Sequence, residues 1–259
     1  MNGVNKTLFI PLYGKALVSK KGIILRDEKA EQIWESEQFP LKGKSKSKWL
    51  AYFMSMRSAV FDEWTKDQLA QNPNGVVMHL GCGLDSRVER VGCASLWYDI
   101  DFESVIAQRK RYYSETENYK MLAFDITDAR FLDEIAPSSH AIVVMEGVRM
   151  YIENETLAQT LSAICDKFTS VSILVDCYTP FGAKMSKIKN PIKEVGVNKV
   201  YGVKSPETLL NGELTFVKEH SLTPNELIEQ LNGCEKFIFK TLYAGSISKK
   251  IYKLYEYKK

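Results

Sequence analysis

The sequence predicts an α/β fold with a mostly parallel sheet, an antiparallel edge hairpin and an N-terminal helical cap. Helical periodicity fills the first 70 residues, and five short apolar runs then alternate with helix-sized charged segments. Segments near the C-terminus also have the pattern of strands. Strand, helix and strand in alternation are typical of a parallel sheet whose two faces are both covered.

The first 70 residues have the spacing of helices. Trp49, Phe53, Met56, Val60 and Trp64 recur every three to four positions and predict one long amphipathic helix over 49–70. A shorter helix is expected over "LRDEKAEQIWE". The lysines of the connector "LKGKSKSK" are expected to be solvated. We therefore expect a helical cap over 1–70 and a core domain over 71–259.

Beyond "NPNG" the pattern changes to strands and crossovers. Two charged segments, "DFESVIAQRKRYYSE" and "NETLAQTLSAICDKF", have helical spacing, and "LTPNELIEQL" predicts a late helix. "CEKFIFKTLYA" and "SISKKIYKLYEYK" are expected to pair as a hairpin at the sheet edge, with Gly245 in the turn. The other predicted strands are "VVMHL", "SLWYDI", "YKMLAF", "AIVVME", "VSILVDCY" and "FVKEHSL".

Composition excludes several classes of protein. Lysine and arginine number 35 against 32 acids, so the net charge of +3 lacks the basic bias of a dedicated nucleic-acid binder. Five cysteines without a CxxC pair do not suggest zinc, and they fit reduced thiols in a cytoplasm. No segment approaches the length of a membrane span. We expect a cytoplasmic protein with no membrane partner, and a nucleic-acid partner is not favoured.

The turn "LGCG" follows the first predicted strand. Gly81 and Gly83 would let the backbone approach a ligand at the carboxyl end of that strand. Asp99 and Asp101 end the next strand, where a carboxylate accepts hydrogen bonds from ribose hydroxyls. This arrangement serves both NAD and S-adenosylmethionine. Ser86 stands where the dinucleotide fingerprint has its third glycine, which disfavours a bound pyrophosphate.

The third predicted strand ends in "FDITD". Its Asp125 is a candidate acceptor for an adenine amino group, and the Ile126 backbone N–H is a candidate donor to the ring. Structural alternatives stay open. The glycines are compatible with a plain turn, Asp99 or Asp101 with a helix N-cap before Phe102, and Asp125 with a cap after Thr127.

Three ordered motifs carry a family resemblance. "VVMHLGCGLDSR", "WYDIDFESVIAQRK" and "VVMEGVRMYIENE" resemble, in order and spacing, the S-adenosylmethionine-dependent methyltransferases of the leucine carboxyl methyltransferase family, and most closely its bacterial branch of polyketide O-methyltransferases. "LYGKAL", "MSMRSAVFDE" and "YGVKSPETLL" extend the likeness over nearly the whole chain. The resemblance implies a Rossmann-like class I methyltransferase core, S-adenosylmethionine as methyl donor, S-adenosylhomocysteine as product, and no metal.

The resemblance also implies roles for single residues. Arg57 matches the arginine that engages the carboxylate of the cofactor's methionine part, and Lys15 aligns loosely as a second cation there. Asp101, rather than Asp99, matches the ribose-binding acid, and Glu146 falls where the family closes over the methionine end. Gly81, Gly83, Asp125 and Ile126 match the glycine loop and the adenine contacts. Ser86 replaces a threonine, and Arg149 replaces an apolar residue and is expected to face solvent.

The acceptor is the open question. Residues 181–204 hold six lysines (184, 187, 189, 193, 199 and 204) against Glu194, which is typical of a basic lid for an acidic acceptor or of a plain solvated loop. We expect a small carboxylic acid or acidic phenolic metabolite as acceptor. The catalytic residues of the protein are unknown, and Tyr151 is the one candidate to face the acceptor. His79 is expected to be a core residue whose hydrogen bonds are satisfied.

Alternatives remain open at this stage. The resemblance also includes carboxyl methyltransferases that act on a protein C-terminus or on a modified tRNA base. An NAD-dependent oxidoreductase and a non-catalytic binding module are the candidates from other classes. The oligomeric state and the methylated atom are left open.

Overall fold

The computed structural model describes residues 7–92, 94–186, 200–210 and 212–259. Three N-terminal helices begin the chain: α1 (Phe9–Lys21), α2 (Glu28–Glu37) and α3 (Lys48–Gln71). The Asp27 carboxylate caps α2 by accepting a 2.8 Å bond from the Ala30 amide. The connector before α3 contains a short 3-10 turn, Gly43–Lys46, whose lysine side chains are exposed as expected.

The described residues form one seven-stranded sheet in the order β3-β2-β1-β4-β5-β7-β6. The first five strands are parallel, while β7 is antiparallel to both β5 and β6. Strand order reverses between β1 and β4, so a crevice is expected beyond their carboxyl ends. The strands are β1 (Val76–Leu80), β2 (Trp97–Asp101), β3 (Tyr119–Ala123), β4 (His140–Met145), β5 (Ser170–Tyr178), β6 (Thr215–Glu219) and β7 (Tyr252–Lys258).

Helices and turns make the parallel crossovers, so the predicted fold class is confirmed. β1 to β5 each lie within two residues of the predicted runs, because short apolar segments bounded by turns are strong strand signals. The crossovers are α4 (Arg87–Val91), α5 (Glu103–Arg109), a 3-10 turn (Ala129–Glu134) and α6 (Asn154–Lys167), and α7 (Pro180–Ser186) follows β5. In the part of the chain described, no helix is both long and apolar enough to cross a bilayer.

The predicted C-terminal hairpin is wrong. "CEKFIFKTLYA" folds as a helix, α9 (Gly233–Leu242), after the short α8 (Asn225–Ile228). Gly245 precedes a further helix, α10 (Ser246–Ile251), instead of sitting in a hairpin turn. The antiparallel edge is the pair β6 and β7. The Asn232 side chain accepts from the Glu235 amide at 3.0 Å, an N-cap that favours a helix in a segment whose apolar alternation favours a strand.

The two faces of the sheet are covered by different parts of the chain. The 3-10 turn Ala129–Glu134 and α6 contribute to the apolar cluster on one face. On the other face, Phe61 and Trp64 of α3 share a buried cluster with Val77, Ile142 and Leu174 of the sheet. The N-terminal helices are therefore a layer of the main core, and α9 packs on α1 and α3 in a third cluster.

Candidate active site

A left-handed glycine turn follows β1. Gly81 and Gly83 have φ values of 72° and 54°, which residues with a side chain rarely adopt. A Cβ on Gly81 would lie 2.6 Å from Cγ2 of Val148, so the turn also needs glycine for close packing. The Gly83 amide donates a 2.8 Å hydrogen bond to Oδ2 of Asp101. The loop and the carboxylate are thus held together at the predicted crevice.

Asp101 is the acid that faces the cavity at the end of β2. Its two carboxylate oxygens accept from the Gly83 and Phe102 amides, each at 2.8 Å. Burial raises the pKa of Asp101 to about 6. The N-cap position of α5 is Phe102, with no side-chain cap, so the expectation that Asp99 or Asp101 caps this helix is wrong.

Asp99 lies inside the protein instead. It pairs with Arg109 and accepts from the Tyr119 hydroxyl at 2.6 Å. Burial would raise its pKa, but Arg109 and the His79 hydrogen bond outweigh burial and bring the pKa to about 2. The ring of His79 contacts Asp99 through Nδ1 at 3.2 Å and Arg87 through Nε2 at 3.1 Å. Since arginine only donates, Nε2 accepts, and His79 is a neutral, satisfied core residue as expected.

A buried ion-pair network surrounds Arg57. Arg57 contacts Glu146 at 2.9 Å and Asp176 at 2.7 Å, and Asp176 also accepts from the Tyr252 hydroxyl and the Gly147 amide, both at 2.7 Å. Burial would raise the pKa of Glu146, but nearby cations, Arg57 first, lower it to about 2. Burial outweighs Arg57 at Asp176, so that pKa is raised. The two carboxylates that contact Arg57 (Glu146 and Asp176) are therefore fixed in position by other groups of the protein.

The network continues toward the N-terminus. Lys15 is buried and pairs with Asp85 at 3.2 Å, which places it beside the glycine turn. Arg87 and Arg90 lie on the same stretch, "DSRVER", and both bond Asp62. Sequence analysis missed these arginines and Asp176, although two arginines three apart directly after a glycine turn were a usable signal. Four cations (Lys15, Arg57, Arg87 and Arg90) meet five carboxylates (Asp27, Asp62, Asp85, Glu146 and Asp176).

The site opens into a cavity of about 400 Å³. Lys15, Arg57, Asp101 and Glu146 line it together with the two glycines, so most of the predicted site residues converge. Its aromatic part comes from α3, the loop after β4, the end of β5 and the C-terminal segments: Phe53, Tyr151, Tyr178, Tyr243 and Tyr252. Leu242, Ser248 and Ile251 complete the wall from the helices that replace the expected hairpin.

Other predicted residues lie elsewhere. Asp125 is exposed, accepts from the Thr127 amide at 2.9 Å, and like Ile126 does not line the cavity. It caps no helix, since Asp128 caps the following turn. Arg149 is buried, bonding Asn154 and the Tyr201 carbonyl, so the expectation that it faces solvent is wrong. Burial lowers its pKa.

The predicted lid lies partly outside the described residues. The part outside the described residues contains Lys187, Lys189, Lys193, Glu194 and Lys199. The described ends of the segment, 181–186 and 200–204, do not line the cavity. Within the described ranges, no group of three or more histidine, cysteine or carboxylate side chains is placed to hold a metal ion.

The donor set fits a nucleoside cofactor that carries a positive charge. The glycine turn exposes backbone, Asp101 offers a carboxylate beside it, and carboxylates outnumber cations in the adjoining network by one. S-adenosylmethionine contains a ribose, two positively charged groups (a sulfonium and an ammonium) and one negatively charged carboxylate. Fold and site together therefore fit the class of S-adenosylmethionine-dependent methyltransferases.

Comparison with known proteins supports the class and identifies the family. The leucine carboxyl methyltransferase family model matches residues 4–165, and the chain belongs to that family. It is 26% identical over 243 residues to the tetracenomycin polyketide synthesis O-methyltransferase TcmP of Streptomyces glaucescens, covering 92% of this chain and 90% of that protein. It is also 26% identical over 187 residues to the S-adenosyl-L-methionine-dependent methyltransferase dpfgK of Gibberella zeae, covering 65% and 62%.

A solved structure supports the fold. The crystal structure of a candidate methyltransferase from Thermobifida fusca superposes with a TM-score of 0.58 at 11% identity, covering 96% of this chain and 94% of that one. At this identity the likeness concerns the fold alone. The chain is thus an S-adenosylmethionine-dependent methyltransferase by family, and the NAD-dependent alternative is set aside.

Proposed function

We propose that the protein transfers the methyl group of S-adenosylmethionine to an oxygen of a small metabolite, either a carboxylate or an acidic hydroxyl. The observation that carries the proposal is the aromatic part of the cavity, which adjoins the buried ion pairs and offers apolar walls to an acceptor. The similarity to TcmP, a polyketide synthesis O-methyltransferase by name, agrees with an oxygen-bearing, polyketide-like acceptor.

We assign the cofactor contacts from the site residues. Asp101 accepts from the ribose hydroxyls, and the backbone at Gly81 and Gly83 lies along the cofactor. Arg57, with Lys15 near it, takes the carboxylate of the methionine part, and Glu146 faces its ammonium group. A guanidinium suits the first role because it binds carboxylates through a planar pair of donors. Asp125 and Ile126 lie outside the described lining, so their role as adenine contacts rests on the family resemblance alone.

When bound, the cofactor supplies an electrophilic methyl group on a positively charged sulfur. The protein's task is to hold the accepting oxygen close to that carbon and in line with the breaking bond. Aromatic side chains on the cavity wall position the acceptor and exclude water. Burial raises the pKa of Tyr151, so its hydroxyl is neutral and can donate a hydrogen bond to the acceptor but is unsuited to act as a base.

The protonation states favour an acceptor that is already ionised. Among the described lining residues, Lys15, Arg57 and Glu146 are ion-paired. Asp101 accepts hydrogen bonds from two backbone amides, and both ring nitrogens of His79 are bonded. None of these groups is free to remove a proton. A carboxylate needs no general base, whereas a neutral hydroxyl would require one. We therefore place carboxylic acids ahead of phenols.

The test is methyl transfer from radiolabelled S-adenosylmethionine to matched aromatic acids, their phenol analogues and their amine analogues. We expect label on the acids, released as methanol by mild base because methyl esters hydrolyse where methyl ethers do not. Turnover of the amines alone would contradict the proposal. So would turnover confined to tRNA or to a protein C-terminus, the two alternative acceptors.

We also propose that residues 181–204 form a basic lid. The division into a helical cap over 1–70 and a core over 71–259 is a second, separate proposal. Replacing Lys184 and Lys204 by glutamate should raise KM for an acidic acceptor and leave KM for a neutral one unchanged, because a basic lid acts through charge. Equal effects on both acceptors would contradict an electrostatic lid.

A further inference from the structure

The outer face of α9 carries large apolar side chains that are open to solvent. Phe237 is 73% exposed, Leu242 65% and Ile238 37%. The inner face of the same helix is buried, since Phe239 is fully covered and its ring stacks on that of Tyr243. Phe237 and Leu242 are therefore mostly outside the core, and a cluster of exposed apolar side chains marks an interaction surface.

Lysines outnumber acids around this face, although Glu229, directly after α8, accepts from Lys236 at 2.8 Å. Across α7, α9 and α10 the chain has five lysines (184, 236, 240, 249 and 250) and a single acid, Glu235. Glu235 is already bonded to Lys48 and Tyr52. Lys240, Lys249 and Lys250 are exposed, and within the described chain none of them is ion-paired. The surface is therefore apolar and cationic, which favours an anionic partner.

The same face borders the mouth of the active-site cavity. Leu242 lines the cavity although it is largely exposed, so it stands at the rim, and Phe102, another lining residue, is 39% exposed. Ser248 and Ile251 of α10 continue the wall inward. An acceptor whose apolar part rests on this surface would enter the cavity without crossing open water.

We propose that α9 and α10 dock the enzyme on an anionic membrane surface, with Phe237 and Leu242 entering the headgroup region and the lysines contacting lipid phosphates. Interfacial helices combine exposed aromatic or aliphatic side chains with lysines in this way. The expectation of no membrane partner rested on the absence of a spanning segment, and surface docking needs none. The inference does not depend on the proposed acceptor.

Two other occupants fit less well. A second copy of the chain would bring the two sets of lysines against each other, which is unfavourable. A protein partner would need a groove shaped to the protruding Phe237 and Leu242, whereas a fluid lipid surface adapts to them. Charge and shape together therefore favour lipid.

The test is co-sedimentation of the full chain with vesicles of phosphatidylcholine, alone or with about 30% phosphatidylglycerol. We expect binding only to the anionic vesicles, and a loss of binding in high salt. Phe237→Glu and Lys240→Glu should each lower the partition coefficient by about tenfold. Val217→Glu, on the edge strand, and Lys66→Glu, at the far end of α3, are the matched controls and should bind as the wild type.

Thermal unfolding of each variant shows that it is folded before its binding is compared. Wild-type protein that stays in the supernatant with anionic vesicles would overturn the proposal, as would Phe237→Glu binding like the wild type. A concentration-dependent dimer that Phe237→Glu abolishes, without vesicle binding, would assign the face to a second copy instead. No methyl acceptor enters the assay, so its failure leaves the proposed function standing.

Discussion

Arg57 shows how one residue serves both the fold and the site. Its guanidinium lies between Glu146 and Asp176, from the loop after β4 and from β5, with Tyr252 of β7 completing the contacts. Removal of the side chain leaves the buried Asp176 without a cation and leaves Glu146 with Arg87 alone, which costs about 3–5 kcal/mol. A simple alanine variant therefore confuses binding with stability.

Arg57→Lys separates the two effects, because it keeps the charge and loses the planar donors. We expect the affinity for S-adenosylmethionine to fall by about tenfold or more, as for a lost charge-assisted contact of about 1–3 kcal/mol. Calorimetric titration measures the affinity, and urea unfolding the stability. Arg26→Lys, at an exposed position, is the control. Wild-type affinity in folded Arg57→Lys would show that the carboxylate binds elsewhere.

Asp101 should make cofactor binding depend on pH. Because burial raises its pKa to about 6, the side chain is ionised above that pH and neutral below it. Only the ionised form offers both oxygens to hydroxyl donors. We expect S-adenosylmethionine affinity to fall as pH decreases through 6, with a limiting slope of about tenfold per pH unit. Asp101→Asn should bind weakly with a flat profile between pH 5 and 8, and an unchanged profile would exclude Asp101.

At the scale of elements, the contact between α7 and α10 is unusually close. A Cβ on Gly182 would lie 2.1 Å from the Ile251 carbonyl oxygen, whereas a Cβ on Gly233, at the start of α9, would meet nothing within 4 Å. Backbone cannot move aside as a flexible side chain can. The position of α10, and of the cavity wall that it carries, therefore depends on the absence of a side chain at residue 182.

Gly182→Ala should destabilise the protein by about 1–3 kcal/mol and raise KM for the acceptor, because α10 must shift. Gly233→Ala is the matched control and should be neutral or stabilising by up to about 1 kcal/mol, since alanine favours a helix. Urea unfolding and steady-state kinetics provide the two measurements. Equal stabilities of the two variants would contradict the close contact.

Sequence patterns predicted the strands better than the C-terminal elements. The runs at 76–80 and 119–123 lie between turns and crossovers, so local composition was sufficient. In "CEKFIFKTLYA" the apolar residues fit a strand alternation as well as a helix. The packing of Phe239 against Tyr52 and Met56 decided for the helix, and no local signal reports that contact.

At the scale of the whole molecule, the N-terminal helices complete the core. Phe61 and Trp64 bury the face of the sheet formed by Val77 and Ile142. Without these helices, that face would be open to water. The division at residue 70 is therefore useful for describing the chain, but the two parts share one apolar cluster.

A chain limited to residues 71–259 should consequently fail to fold cooperatively. We expect no sigmoidal urea transition and strong binding of a hydrophobic dye, while the full chain unfolds in a cooperative transition. Adding residues 1–70 as a separate chain is the control for complementation. A cooperative transition in the shortened chain would show that the core domain is independent.

Several features followed from the sequence alone. Alternating apolar runs determined the parallel sheet, and Gly81, Gly83 and Asp101 identified the crevice, because each depends on residues close together in the chain. The tertiary structure decided what distant segments share: the pairing of Arg57 with Asp176, the burial of Arg149, and the cavity wall formed by α9 and α10. Arg57 and Asp176 are 119 positions apart, Arg149 bonds the Tyr201 carbonyl 52 positions away, and α9 comes from a segment of ambiguous period. Only packing in three dimensions selects such contacts.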